Sequence, residues 1–175
     1  MKQSLSIWQF GGFSFVTLLG SLLHFLYSWT NECALFAPFC AINESTWEHM
    51  KLIYFPMLIF ALFQSRFFYE YKNFWCIKLI GIITALILIP MLFYTYNGAL
   101  GKSSHFVNIG IFFVTAAISF ILEWHLFKNT TLTCKRPWLH LIIICLIGLL
   151  FVVFTYSPPK IPLFNDHLKS KAPPS

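Results

Sequence analysis

The sequence predicts an all-α integral membrane protein, a helical bundle of about five transmembrane spans. Three observations carry this. The 175 residues are 58% hydrophobic and only 10% charged, against about 25% charged in a soluble domain, so the chain lacks the polar surface to cover itself in water. Five stretches, 7–29, 50–68, 75–96, 105–127 and 138–156, approach or exceed the roughly 20 apolar residues needed to cross the hydrocarbon. All six tryptophans, Trp8, Trp29, Trp47, Trp75, Trp124 and Trp138, fall at or near the ends of these stretches, where an indole body is sheltered and its N–H finds water. The strict alternation of a transmembrane barrel is absent.

The first stretch reads as a retained anchor. Its apolar run exceeds the roughly 7–15 residues of a signal-peptide core, and no small-x-small cleavage site follows it. The second stretch is preceded by Ser45-Thr46-Trp47-Glu48, an S-x-x-E pattern that starts helices by satisfying their first free N–H groups. Pro56 and Pro90 lie inside the second and third stretches and read as packing kinks that neighbouring helices compensate. The fourth and fifth stretches follow polar connections, and residues 1–157 form one membrane domain. The tail 158–175 is rich in Pro, Lys and Ser and reads as irregular.

Lys and Arg orient the chain. With the N-terminus inside, the inner side holds Lys2, Arg66, Lys72, Lys78, Lys128, Lys135 and Arg136, and the outer side holds Lys51, Lys102, Lys160, Lys169 and Lys171. Three of the latter lie in the tail, so the short outer loops carry only Lys51 and Lys102. The N-terminus inside and the C-terminus outside follow. The net charge of +6 is spread between apolar runs rather than gathered in a patch, which argues against nucleic acid as a partner.

Of the five cysteines, Cys33 and Cys40 share the first outer loop, where an oxidising compartment would allow a disulfide. Cys76 and Cys134 fall on the inner side and are expected to be reduced, and Cys145 packs as a small hydrophobe. Asn43-Glu44-Ser45 and Asn129-Thr130-Thr131 match the short glycosylation sequon, a pattern common by chance.

Polar residues gather on the outer side: His24 near the end of the first stretch, the segment Asn43–Lys51, and His105 at the start of the fourth stretch. Ionisable groups at membrane depth are costly and mark functional sites by default. His24, Glu44, Glu48, His49 and His105 are the candidate catalytic set. Glu44, Glu48 and Lys51 fall on one helical face by spacing, while Ser45 and His49 share another. Two chemistries fit. One is a divalent metal ion held by mixed His and carboxylate ligands; no cofactor is otherwise indicated. The other is a metal-free His–carboxylate acid–base pair acting on a lipid or lipidated substrate. On the Asn43–Lys51 segment alone, helix capping, dipole pairing and a Trp47 headgroup anchor are the favoured reading. No H-E-x-x-H, nucleophile elbow or phosphate loop is present. On the inner side, Glu123, His125 and His140 read as interfacial ion pairing, with Lys128 or Arg136 as the partner of Glu123.

The string Asn-Glu-Ser-Thr-Trp-Glu-His-Met-Lys at 43–51, with 89–96 followed by Gly98 and Gly101-Lys102, and 154–159 followed by Pro162-Leu163-Phe164 and Asp166, resembles a family of uncharacterised bacterial multi-pass membrane proteins, a domain of unknown function. The likeness spans His24 to Asp166. It implies a bacterial cytoplasmic-membrane protein and no activity. Residues from His167 onward are Lys-rich and depart from the family's ending.

Three function classes follow. The leading one is an enzyme acting on a membrane-embedded substrate by hydrolysis or acyl transfer. The second is a small transporter or channel component, against which stands the lack of paired charges near the centre of any span. The third is a non-catalytic accessory subunit.

Overall fold

Long apolar runs leave the backbone no partner in lipid except itself, so they close into helices. The computed structural model describes residues 2–101, 105–129 and 133–165, with the side chains of 2–4 and of His105 outside that description. Five α-helices follow in order: α1 (Lys2–Trp29), α2 (Thr46–Ser65), α3 (Phe74–Leu100), α4 (His105–Lys128) and α5 (Pro137–Tyr156), then a 3-10 turn at Pro162–Phe164. No strand occurs among the described residues. The predicted stretches are recovered, with α1 starting five residues earlier and α2 four residues earlier than expected.

Four helices, α1, α3, α4 and α5, are long and apolar enough to cross a membrane. At 20 residues α2 is about 30 Å long, but its polar ends, with Glu48, His49 and Lys51 at one and Gln64 and Ser65 at the other, lower its hydropathy. Of these groups, Glu48, Lys51 and Gln64 are buried within the bundle. α1, α2, α3 and α4 pack in a closed ring of neighbours, α5 leans on α3 and α2, and the Pro162–Phe164 turn covers α2.

The core fills this ring and extends to its contact with α5, built on Ile53, Tyr54, Ile82 and Phe120 with Ile144 and Phe151 of α5. The Tyr54 hydroxyl donates to the Ile144 carbonyl of α5, beside Gly148, whose missing side chain makes room for the phenol. Gly101, with φ at 63°, ends α3 in the left-handed conformation that favours glycine.

Several expectations are corrected. Trp47 is not a headgroup anchor: it is buried, with its ring 4.5 Å from that of Phe151 and 4.6 Å from that of Phe164. The start of the tail is therefore folded back onto α2, while 166–175 lie outside the described residues. Cys33 and Cys40 are not paired. Cys33 is exposed, whereas Cys40 is buried against Leu23 and Leu52, and burial pushes its thiol up despite the Lys51 ammonium nearby. The disulfide instead joins Cys76 and Cys134, 58 residues apart. The start of α3 and the segment entering α5 meet at one end of the bundle, a proximity invisible in linear spacing. Glu123 pairs with neither Lys128 nor Arg136 but with Lys78 of α3, at 2.6 Å.

Candidate functional site

The site grows from the turn that starts α2. The Asn43 side-chain carbonyl accepts from Ser45 N–H at 2.9 Å, and the Ser45 hydroxyl accepts from Glu48 N–H at 3.3 Å, which caps the helix. The box is only half formed. The Glu48 carboxylate does not reach back to Ser45; it accepts from Ile42 N–H at 2.9 Å and pairs with Lys51 Nζ at 2.7 Å.

This capped turn sets Glu44 just before the helix and His49 one turn into it. His49 Nδ1 lies 2.9 Å from the Ser45 carbonyl, an acceptor, so Nδ1 carries the hydrogen and Nε2 faces the site. His49 Nε2 stands 3.6 Å from one Glu44 oxygen, and His24 Nε2, from α1, stands 3.7 Å from the other. The two imidazole rings are 5.6 Å apart. One carboxylate thus stands between two histidines contributed by different helices.

These three side chains line a cavity of about 350 Å³ whose other walls are Gly20, Ser21, Phe25, Leu52, Asn108, Ile109, Phe112 and Phe113. The walls are mostly apolar, with Ser21 and Asn108 as the further polar side chains. Chemically, a neutral His49 presents a lone pair toward Glu44 and an imidazolium presents a donor. A histidine ring nitrogen facing a carboxylate supplies the parts of an acid–base pair.

Of the five candidates, His24, Glu44 and His49 come together. Glu48 does not: it is 3% exposed and turned to Lys51, which also donates to the Ala37 carbonyl at 2.9 Å and Thr155 Oγ1 at 3.0 Å. The helical spacing that grouped Glu44 with Glu48 fails because Glu44 precedes α2. The side chain of His105 lies outside the described residues. Asn108, one turn further along α4, lines the cavity and was not anticipated; its position after His105 was the available signal. His24, Glu44, Glu48 and His49 do not gather to metal-holding spacing: the His, Cys or carboxylate group that does so among the described residues is Cys76, Cys134 and His140.

The chain matches the model of a family of unknown function, DUF6512, over residues 1–172. It belongs to that family. No curated protein and no solved structure matches it. Membership agrees with the resemblance read from the sequence and brings no activity, so the chemistry rests on the side chains themselves.

A second polar group was missed. Lys78 and Glu123 are shut from solvent, and four rings, Phe60, Phe74, Phe120 and Phe127, lie within 6 Å of the Lys78 ammonium. Thr115, Ser119 and Glu123 form a stripe on α4, one residue per turn, and with Gln9 of α1 and Gln64 of α2 they are buried. The hydroxyls of Thr115 and Ser119, both amides and Glu123 Oε1 take no hydrogen bond among the described residues. The spacing of Thr115, Ser119 and Glu123 was the sequence signal.

Proposed function

We propose that this protein takes an amphipathic, lipid-like molecule into the cavity beside His24, Glu44 and His49 and acts on its polar end by acid–base catalysis, through hydrolysis or acyl transfer. The supporting observation is the carboxylate between two histidines on the wall of a cavity whose other walls are mostly apolar. An acyl chain would lie against Phe25, Phe112 and Phe113, while the polar group meets the imidazoles. The Lys and Arg bias favours the N-terminus inside and this site at the outer face, and the family resemblance implies a cytoplasmic membrane.

The test is turnover. Purified protein in lipid nanodiscs is incubated with a bacterial lipid extract and followed by mass spectrometry. Loss of one lipid class with appearance of its cleaved or acyl-transferred product is expected, slowed about 10²–10⁴-fold in Glu44→Gln or His49→Ala. An unchanged lipid profile in the folded wild type would overturn the enzyme reading.

A transporter is the second reading, favoured by the buried stripe Thr115, Ser119 and Glu123 with its unpartnered atoms. The Lys78–Glu123 pair lies toward the ends of α3 and α4 rather than at the centre of a span, so the sequence argument against a midplane path still stands beside this reading. Proton uptake by liposomes holding the protein, abolished in Glu123→Gln, would favour it over the enzyme.

A further inference from the structure

At the opposite end of the bundle from His49, three side chains with soft or borderline donor atoms converge. Cys76 lies in the first turn of α3, Cys134 in the segment entering α5, and His140 in the first turn of α5. Both sulfurs and one histidine ring nitrogen lie within 4.8 Å of one another. The group is held in place. The Cys134 N–H donates to Asn73 Oδ1 at 3.0 Å, tying its segment to the start of α3. His140 Nδ1 lies 3.1 Å from the Arg136 carbonyl, which commits the Nδ1 hydrogen there and leaves the Nε2 lone pair of the neutral ring for a ligand, the orienting contact typical of metal-binding histidines.

We infer that, once the Cys76–Cys134 bond is reduced, Cys76, Cys134 and His140 bind a thiophilic divalent cation of the zinc type. The setting favours the reduced form. Arg66, Lys72, Lys128, Lys135 and Arg136 sit in the loops of this end or beside them, which the positive-inside rule assigns to the cytosol, where thiols are kept reduced. It also favours thiolates. Cys76 is at a helix N-terminus and Cys134 is followed by Lys135 and Arg136, and both surroundings stabilise a negative sulfur.

The geometry fits as well. Metal–sulfur bonds of about 2.3 Å at a tetrahedral angle place two sulfurs about 3.8 Å apart, and the Cα atoms of Cys76 and Cys134 are separated by 6.5 Å, so rotation about the side-chain bonds suffices. The steps balance. Two small-molecule thiols reduce the bond and leave as their own disulfide. The two protein thiols then lose two protons as their sulfurs bind the cation. Three protein ligands leave a fourth position for water or a further ligand. The oxidised pair offers no thiolate and cannot hold the ion, so the site is loaded only in the reduced state.

The test uses the full chain in detergent, reduced with a phosphine and freed of metal, with cobalt(II) as the spectroscopic probe and zinc as competitor. Wild type should take up about one ion per chain, with a thiolate-to-cobalt charge-transfer band that zinc abolishes. Cys76→Ser and Cys134→Ser should lose the band, and His140→Ala should weaken binding at least about tenfold. Cys33→Ser and Cys145→Ser should bind as wild type, and circular dichroism checks the fold of each. Failure of the reduced, folded protein to give the band would overturn the inference. So would undiminished binding in Cys76→Ser, or a Cys76–Cys134 bond that resists excess thiol. None of these outcomes bears on the His24–Glu44–His49 site.

Discussion

Lys78 and Glu123 form an ion pair 2.6 Å long between α3 and α4, with 2% and 0% of their side chains exposed. Both lie in helices that can cross a membrane. Neither charge can reach water, so each depends on the other. Removing one partner of such a pair costs about 3–5 kcal/mol, whereas replacing both with apolar groups is often neutral. Lys78→Met and Glu123→Leu alone should therefore each lower the melting temperature in detergent markedly, and the double variant should recover most of the loss. Additive losses in the double variant would show that the two side chains act independently.

The wall of the proposed site depends on a close approach of α1 to α2. A Cβ on Gly20 would lie 2.5 Å from the Leu52 carbonyl oxygen and 2.6 Å from the Phe112 ring. A backbone carbonyl cannot step aside as a side-chain tip can. Gly20→Ala should cost about 1–3 kcal/mol in thermal melts, as overpacking does. Gly11, on the same helix, has nothing within 4 Å of its Cβ position, so Gly11→Ala should be neutral or stabilise by up to about 1 kcal/mol. Equal effects at the two positions would contradict this packing.

The two glutamates of the α2 start should separate by role. Glu48 and Lys51 fasten the preceding loop to α2 and α5 through Ile42 N–H, the Ala37 carbonyl and Thr155. Glu48→Ala should destabilise by about 3–5 kcal/mol and raise hydrogen exchange at the Ile42 amide. Glu44→Gln should leave both nearly unchanged, because the half-exposed Glu44 holds no part of that scaffold. Loss of stability in both variants alike would remove the distinction between scaffold and site.

The helices were legible because an apolar run long enough to cross lipid has few alternatives to a helix. The Ser45 cap was legible because it is local. The gathering of His24, Glu44 and His49 was legible as a shared end of the bundle, and the structure turned that shared end into a contact. What stayed hidden were pairings between helices. In a soluble helix the apolar stripe tells which face turns inward. Here lipid-facing and core-facing sides are both apolar, so nothing local distinguished Lys78, which became buried against Glu123, from the loop lysines near it. The same blindness misassigned Trp47 to the headgroups and the disulfide to Cys33 and Cys40. A tryptophan near a helix start fits the membrane interface or the core, and two cysteines in one loop look closer than two that are 58 residues apart.

The central claim is that the cavity beside Glu44 holds an amphipathic molecule, and native mass spectrometry of the protein released from detergent tests it most directly. Wild type should retain one lipid-like molecule of a preferred class per chain, and Ser21→Trp, which puts an indole into the cavity, should lose it while keeping its helical content. The same adduct in Ser21→Trp, or an unselective ladder of lipids in both proteins, would contradict the account.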